Sequence, residues 1–240
     1  MAHEATAVVR VDAADAGSAL VRRVFEEVMR PSFSVEELPD LATFVAGFAD
    51  GEQEASLLVE ADGAPLAAAV YDVFRPGLPA LLSYLAVRPG ARGSGAGARL
   101  LAASADHWRE RGDTLVLGEV HDPRCYAERP DERPAARLRF YDRQGAELLW
   151  QPWIQPSLAA GSPRVPGMLL MALLRRPPHD GPVVDVELLR AWIEAYFELA
   201  EGAVPGDAPY RALLARLDRW PDGVPVGRMG DYGEVELLTG

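Results

Sequence analysis

Residues 84–101 read Tyr-Leu-Ala-Val-Arg-Pro-Gly-Ala-Arg-Gly-Ser-Gly-Ala-Gly-Ala-Arg-Leu-Leu, and they constrain the fold more than any other stretch. An apolar run of strand character ends at Val87, and a turn rich in Gly and Pro follows. Gly93, Gly95 and Gly97, at alternate positions, then open an amphipathic helix. Glycine takes positive φ without steric cost and lets the backbone come close to a ligand. The start of a helix adds unpaired N–H groups and the positive end of the helix dipole. Strand, glycine turn and helix start together form a cradle for phosphate or pyrophosphate.

Around that cradle the hydrophobic pattern predicts an ordered series of elements. Residues 6–11 read as a strand, and Val21, Val24, Phe25 and Val28 recur at helical spacing up to Pro31. Ser34 with Glu37 offers a capping box for a second helix through Phe44 and Phe48. Residues 55–61 and 66–74 are apolar runs joined by Asp62-Gly63, a hairpin signal, and 80–87 is a third run after Pro76-Gly77. Short turns between three such runs predict an antiparallel meander. The helix after the glycines spans 94–110, with Ala98, Leu101, Ala102, Ala105 and Trp108 on its buried face.

Residues 114–120 then read as a strand buried on both faces, followed by a polar loop at 121–132. A helix carries Pro134 in its first turn and Gly145 beyond its end. Strand-like runs at 146–154 and 167–174 are separated by a Pro- and Gly-rich stretch at 155–166. Arg175-Arg176-Pro177-Pro178 marks a boundary, and two amphipathic helices follow, one with Leu189, Trp192, Ile193 and Tyr196, the other with Leu213, Leu214 and Leu217.

Composition narrows the function classes. The 240 residues suit one generous domain, or one domain with a helical appendage. With 24 basic and 36 acidic residues the net charge is −12, which argues against nucleic acid as a partner and favours cationic small molecules such as amines. The sequence contains no lysine, so every fixed positive charge is an arginine. The single Cys125 excludes an internal disulfide and fits a reducing compartment. No leader-like segment begins the chain and no apolar run approaches membrane-spanning length, so the expectation is a cytoplasmic protein with no membrane partner. His3, His107, His121 and His179 lack metal-ligand spacing, and no metal is expected.

The glycine turn has three readings: a ligand-free connection, a dinucleotide fingerprint, and a pyrophosphate cradle of another kind. Gly93-Ser94-Gly95-Ala96-Gly97-Ala98 satisfies Gly-x-Gly-x-x-Ala, and Glu119 stands where a ribose-binding acid is expected. In a dinucleotide fold, however, the first glycine follows its strand almost directly. Here Arg88-Pro89-Gly90-Ala91-Arg92 intervene, and an antiparallel meander precedes the motif.

Arg92-x-x-Gly95-x-Gly97, after Leu-Ala-Val-Arg-Pro and before a helix, resembles the acetyl-CoA signature of the GCN5-related N-acetyltransferase (GNAT) family. Phe140-Tyr141-Asp142-Arg143-Gln144-Gly145 resembles that family's motif of Phe-Tyr, three residues and Gly, and the element order is similar over roughly residues 5–175. The resemblance implies an α/β (α+β) fold with a central mixed, mostly antiparallel sheet flanked by helices. Residues 5–175 would be the acetyl-CoA-dependent N-acetyltransferase domain, and 180–240 a C-terminal helical extension serving as a lid or for oligomerisation, with a homodimer left open. It further implies that backbone at Leu85, Ala86 and Val87 pairs with the pantetheine arm, and that Arg92, Gly93, Ser94, Gly95, Ala96 and Gly97 grip the pyrophosphate.

On the same resemblance, acetyl-CoA is the co-substrate and an amine of a small molecule or peptide attacks the thioester directly. The other class is a non-catalytic acyl-CoA-binding regulatory module that keeps the fold without a base. Tyr141 is the candidate general acid for the leaving thiolate, against a plain packing role on its helix. Glu119 is the first candidate for the general base, and His121 shares its face by strand alternation. The alternatives are an ion pair to a nearby arginine for Glu119 and a loop start for His121. Tyr84 could face the acceptor. Asp122-Pro123-Arg124 stands where the family often has an Asn contacting the pantetheine region. The acceptor pocket is expected from the first helical segment, the 121–132 loop and the connection between the last two strands. There Trp150, Trp153, Gln151-Pro152 and Gln155-Pro156 serve either the acceptor or core and dimer packing.

Overall fold

A computed structural model describes residues 6–35, 37–129, 133–158 and 162–238. His3 lies outside these residues, as do three positions of the 121–132 loop and three of the 155–166 stretch. The chain forms two compact units, Met1–Val73 with Ala80–Arg111, and Phe74–Pro79 with Gly112–Gly240.

In the first unit, strands β1 (Thr6–Val11), β2 (Gln53–Glu60), β3 (Pro65–Asp72) and β4 (Ala80–Val87) pair antiparallel in that order. The Asp62-Gly63 turn joins β2 to β3, with Gly63 at φ 83° and Ala64 N–H donating to Asp62 Oδ1 at 2.9 Å. Helix α1 (Ala19–Val24) runs into a π-helical turn at Phe25–Met29, and α2 (Leu41–Ala49) follows. Alternation along β2 sends Ala55, Leu57 and Val59 into a core with Val24, Val28 and Phe44. Helix α3 (Ala96–Arg111) packs on β2 and β3, where Trp108 meets Tyr71 edge-on at 5.8 Å.

Two local expectations change here. Ser34 and Glu37 close a turn of their own, with Ser34 N–H donating to Glu37 Oε2 at 2.9 Å, and Asp40 caps α2 by accepting from Thr43 N–H at 2.8 Å. Pro39 is the reason: it disfavours helical backbone at Leu38 and so delays the helix start. The buried residues of α3 are Ala96, Leu100, Leu101, Ser104 and Trp108, while Ala102 is exposed. Alanine-rich periodicity marks a face weakly, and Ser104 is accommodated because its hydroxyl donates to the Leu100 carbonyl at 2.9 Å.

In the second unit, β5 (Leu115–His121), β7 (Val165–Arg175), β6 (Glu147–Gln155), β9 (Val224–Arg228) and β8 (Val183–Val184) follow one another in antiparallel pairing. Helix α4 (Pro134–Arg143) packs on β5. Helix α5 (Val186–Glu201) is capped by Asp185 and stopped by Gly202 at φ 79°. Helix α6 (Ala208–Leu217) is capped by Asp207 and lies on β6. Arg164 ties these parts together, bonding both Glu201 oxygens at 2.7 Å and Asp207 at 2.8 Å. The sequence pattern showed neither β8 nor β9. One has two residues, and the other reads Val-Pro-Val-Gly-Arg, with Pro and Gly breaking the strand signal. The strand pairs named here are antiparallel and helices lie on them, a mixed α/β fold with mostly antiparallel pairing.

Candidate active site

The glycine turn belongs to the first unit. β4 ends at Val87, a 3-10 turn covers Pro89–Ala91, and α3 begins at Ala96. Gly93 and Gly95 sit at φ 80° and 85°, and a Cβ placed on either would meet nothing within 4 Å. Glycine is therefore required by the backbone conformation, and the space above the turn is open. Among the described residues, the N–H groups of Gly93, Gly95, Gly97 and Ala98 donate to no acceptor in the chain, while Arg99 N–H already bonds the Gly95 carbonyl. Four unspent donors at a helix start, with residues 92–95 exposed, fit a pyrophosphate. Arg92 reaches back across the turn, donating from Nε to the Val87 carbonyl at 3.3 Å and from Nη2 to Ser32 Oγ at 3.2 Å.

Leu85, Ala86 and Val87 stand opposite Ala69, Ala68 and Ala67 of β3. Tyr84 is buried: its ring meets Phe33 edge-on at 5.1 Å and its hydroxyl donates to the Glu37 carbonyl at 2.9 Å. Beside it, the same unit holds a groove of about 400 Å³ lined by Phe25, Phe33, Leu38 and Leu41, together with Asp40 and the ion pair in which Arg30 donates to Glu26 Oε2 at 2.8 Å.

Glu119, His121 and Tyr141 belong to the second unit. β5 carries Glu119 opposite Leu170 of β7, and His121 opposite Met168. The Glu119 carboxylate accepts from Gln155 Nε2 at 2.7 Å, from the Tyr196 hydroxyl at 3.1 Å and, in a short bond, from Trp153 Nε1. The donors named here are neutral groups from β6 and α5. His121 stacks on Tyr126 with ring centroids 4.0 Å apart.

Tyr141 faces inward from α4 at 7% exposure, with Phe140 edge-on at 5.1 Å. Burial pushes its phenol up to about 12, partly offset by the charge of Arg137. It therefore stays protonated at neutral pH. Among the described residues its hydroxyl has no hydrogen-bond partner.

The aromatic and amide residues of β6 divide by role. Gln151 is fully buried and donates to the Leu213 carbonyl of α6 at 3.0 Å, and Trp150 lies against Gly227 of β9, where any Cβ would collide with its indole. Those two pack. Trp153 also packs, yet it and Gln155 bind Glu119. Asp122, buried completely, accepts from Arg124 Nη2 at 2.6 Å, and Arg124 extends to the carbonyls of Gly233 and Val235 at 2.9 Å each. The bond from Tyr196 to Glu119 was not foreseen, because the place of Tyr196 on the apolar stripe of α5 reads as core.

Among the described residues no group of three His, Cys, Asp or Glu is placed to hold a metal ion, and no helix is long and apolar enough to cross a membrane.

Comparison with known proteins supplies the family. A protein from Bacteroides thetaiotaomicron described as a GNAT-family acetyltransferase superposes with TM-score 0.55 at 21% identity, over 80% of this chain and 98% of that one. The ribosomal-protein-S18-alanine N-acetyltransferase of Escherichia coli matches at TM-score 0.48 and 19% identity, over 74% of this chain and 99% of that one. No curated protein matches the sequence. The profile of the acetyltransferase (GNAT) family matches residues 19–146, more than half of the chain and a span that includes the glycine turn, Glu119 and Tyr141. The chain belongs to the GNAT acetyltransferase family.

Proposed function

We propose that the protein is an acetyl-CoA-dependent N-acetyltransferase acting on an amine of a small molecule or peptide. The observation that carries this reading is the glycine turn. Its four unspent N–H donors lie at and just before the start of α3, with Gly93 and Gly95 at positive φ in open space, within a span that matches the family. GNAT enzymes use acetyl-CoA as co-substrate. Here the N–H groups of Gly93, Gly95, Gly97 and Ala98 hold its pyrophosphate, and the backbone at Leu85–Val87 takes the pantetheine amides. The Arg92 guanidinium closes the turn against Val87 and Ser32.

The chemistry follows from two ionisable groups with opposite tasks. An amine is mostly protonated near neutrality, so the acceptor must lose a proton before its nitrogen can attack the thioester carbonyl. The Glu119 carboxylate takes that proton. As the new C–N bond forms and the C–S bond breaks, the thiolate leaves and receives a proton from the Tyr141 phenol. The attacking nitrogen then sheds its second proton, which returns the phenolate to phenol through solvent, and Glu119 releases its own proton to solvent. No covalent enzyme intermediate is involved. The net charge of −12 suits a cationic acceptor, and Asp40 brings a carboxylate to the groove beside the Arg30–Glu26 pair. The exposed, unpaired Cys125 is consistent with a cytoplasmic setting.

Two titrations and one screen test this. Acetyl-CoA is expected to bind calorimetrically while NADH gives no heat, and thiol release over a panel of amines and peptides is expected to find an acceptor that gains an acetyl group by mass spectrometry. Tight NADH binding without acetyl-CoA binding would overturn the reading. Acetyl-CoA binding without thiol release for any amine would favour the non-catalytic module instead.

A further inference from the structure

We propose that Tyr196, on the C-terminal helix α5, is a positioning residue that fixes the Glu119 carboxylate for proton transfer, so that the segment after residue 180 is part of the catalytic apparatus. This rests on Glu119 being the proton acceptor of the proposed reaction.

Consider first what the tyrosine would do as a packing residue only. Its ring lies in an aromatic stack with Trp153, at 6.3 Å and an interplanar angle of 12°, and with Trp192 one helical turn away at 5.5 Å. Phe74 closes the group at 6.1 Å. Tyr196, Trp192 and Trp153 are each at most 3% exposed. A phenylalanine would fill that space equally well. A hydroxyl buried there is costly unless it is bonded, and the bond it makes is to Glu119 Oε2 at 3.1 Å.

Glu119 has the converse problem. It is an anion on a strand whose neighbours Leu115, Val116, Leu117 and Val120 are buried, beside a wall of aromatic rings. Three donors offset its desolvation: the indole of Trp153, the amide of Gln155 and the hydroxyl of Tyr196. Hydrogen-bond donors on a carboxyl group favour its charged, proton-accepting form. Gln155 and Tyr196 share Oε2, and Trp153 takes Oε1, which fixes the plane of the carboxylate. His121 is two residues along β5, β7 brings Leu170 and Met168, β6 brings Trp153 and Gln155, and α5 brings Trp192. Of the three donors, the Tyr196 hydroxyl is the one supplied by the C-terminal segment.

The test follows the Glu119 carboxyl by carbon-13 NMR, its signal assigned by its absence in Glu119→Gln. Removing one donor from a carboxylate disfavours the charged form, so Tyr196→Phe is expected to raise the Glu119 titration midpoint by about one pH unit. With an accepted amine, kcat should fall about tenfold below that midpoint while KM for acetyl-CoA stays constant. Phe197→Leu, a packing change on the same helix, should lower the melting temperature without moving the midpoint. An unmoved midpoint in Tyr196→Phe, or an equal shift in Phe197→Leu, overturns the role of Tyr196 even where Glu119→Gln abolishes transfer. Full transfer activity in Glu119→Gln overturns the base assignment and this role together.

Discussion

The glycine turn and the Glu119 cluster solve opposite problems. The turn presents backbone donors that the chain leaves unspent, in exposed and open space. The cluster spends side-chain donors on a carboxylate enclosed by aromatic rings. One serves a ligand whose charge is fixed, so partial charges on N–H groups suffice. On the proposed reading the other serves a proton whose transfer depends on a single side chain's geometry, and that side chain is braced from β6 and α5. Substitutions in the turn should therefore change binding, and substitutions around Glu119 should change turnover.

The largest expected effect is at Glu119. Glu119→Gln keeps the size and most of the hydrogen bonds but cannot take a proton, and kcat should fall by about 10³ in a steady-state thiol-release assay, within the usual range for a general base. Acetyl-CoA affinity should hold. Tyr141→Phe comes next, with a loss of about 10² in kcat. Its pH behaviour has a definite sign. The folded phenol is raised to about 12, above its ordinary value of 10.0, so its contribution to stability is complete below pH 10 and is lost as pH rises toward 12. Tyr141→Phe should remove that alkaline loss in melting curves.

On the binding side, Gly95→Val forces a branched side chain into φ 85°, a strain of about 1–3 kcal/mol that the turn can relieve only by abandoning its shape. Acetyl-CoA affinity should weaken about tenfold by calorimetry, with kcat at saturation nearly preserved. Gly90→Ala, in the same turn but without positive φ and with open space around it, should change nothing.

The smallest effect tests a support far from either region. Arg164 holds Glu201 below its ordinary value of 4.5 and Asp207 below 3.8, chiefly through hydrogen bonds. That stabilisation is complete above about pH 4.5 and is lost as pH falls through the depressed folded values. Arg164 and Glu201 are largely shielded and Asp207 is half exposed, so Arg164→Ala should cost roughly 1–2 kcal/mol at neutral pH. Thermal melts should show that difference shrinking in acid.

The same contrast explains what could be read from the residues alone. The turn was legible because its constraint is local: three alternate glycines after an apolar strand specify a backbone shape, and positive φ at Gly93 and Gly95 is that shape. Tyr141 was legible as a motif residue, although its burial was not. The brace on Glu119 was illegible, since it joins positions 119, 153, 155 and 196, and each of those residues has an ordinary role in its own element. Tyr196 reads as a core stripe until its hydroxyl is placed. The late start of α2 is a smaller instance, in which the expected box at Ser34 and Glu37 gave way to Asp40 behind Pro39.

The most direct test of the division between donor binding and proton transfer measures two quantities on two variants. Acetyl-CoA dissociation constants and single-turnover transfer rates should be determined for Gly95→Val and Glu119→Gln against the unmodified protein. The account predicts a crossed pattern, with weakened binding but near-normal transfer at saturation for Gly95→Val, and normal binding but slow transfer for Glu119→Gln. Weakened acetyl-CoA binding in Glu119→Gln, or unchanged binding in Gly95→Val, would contradict it.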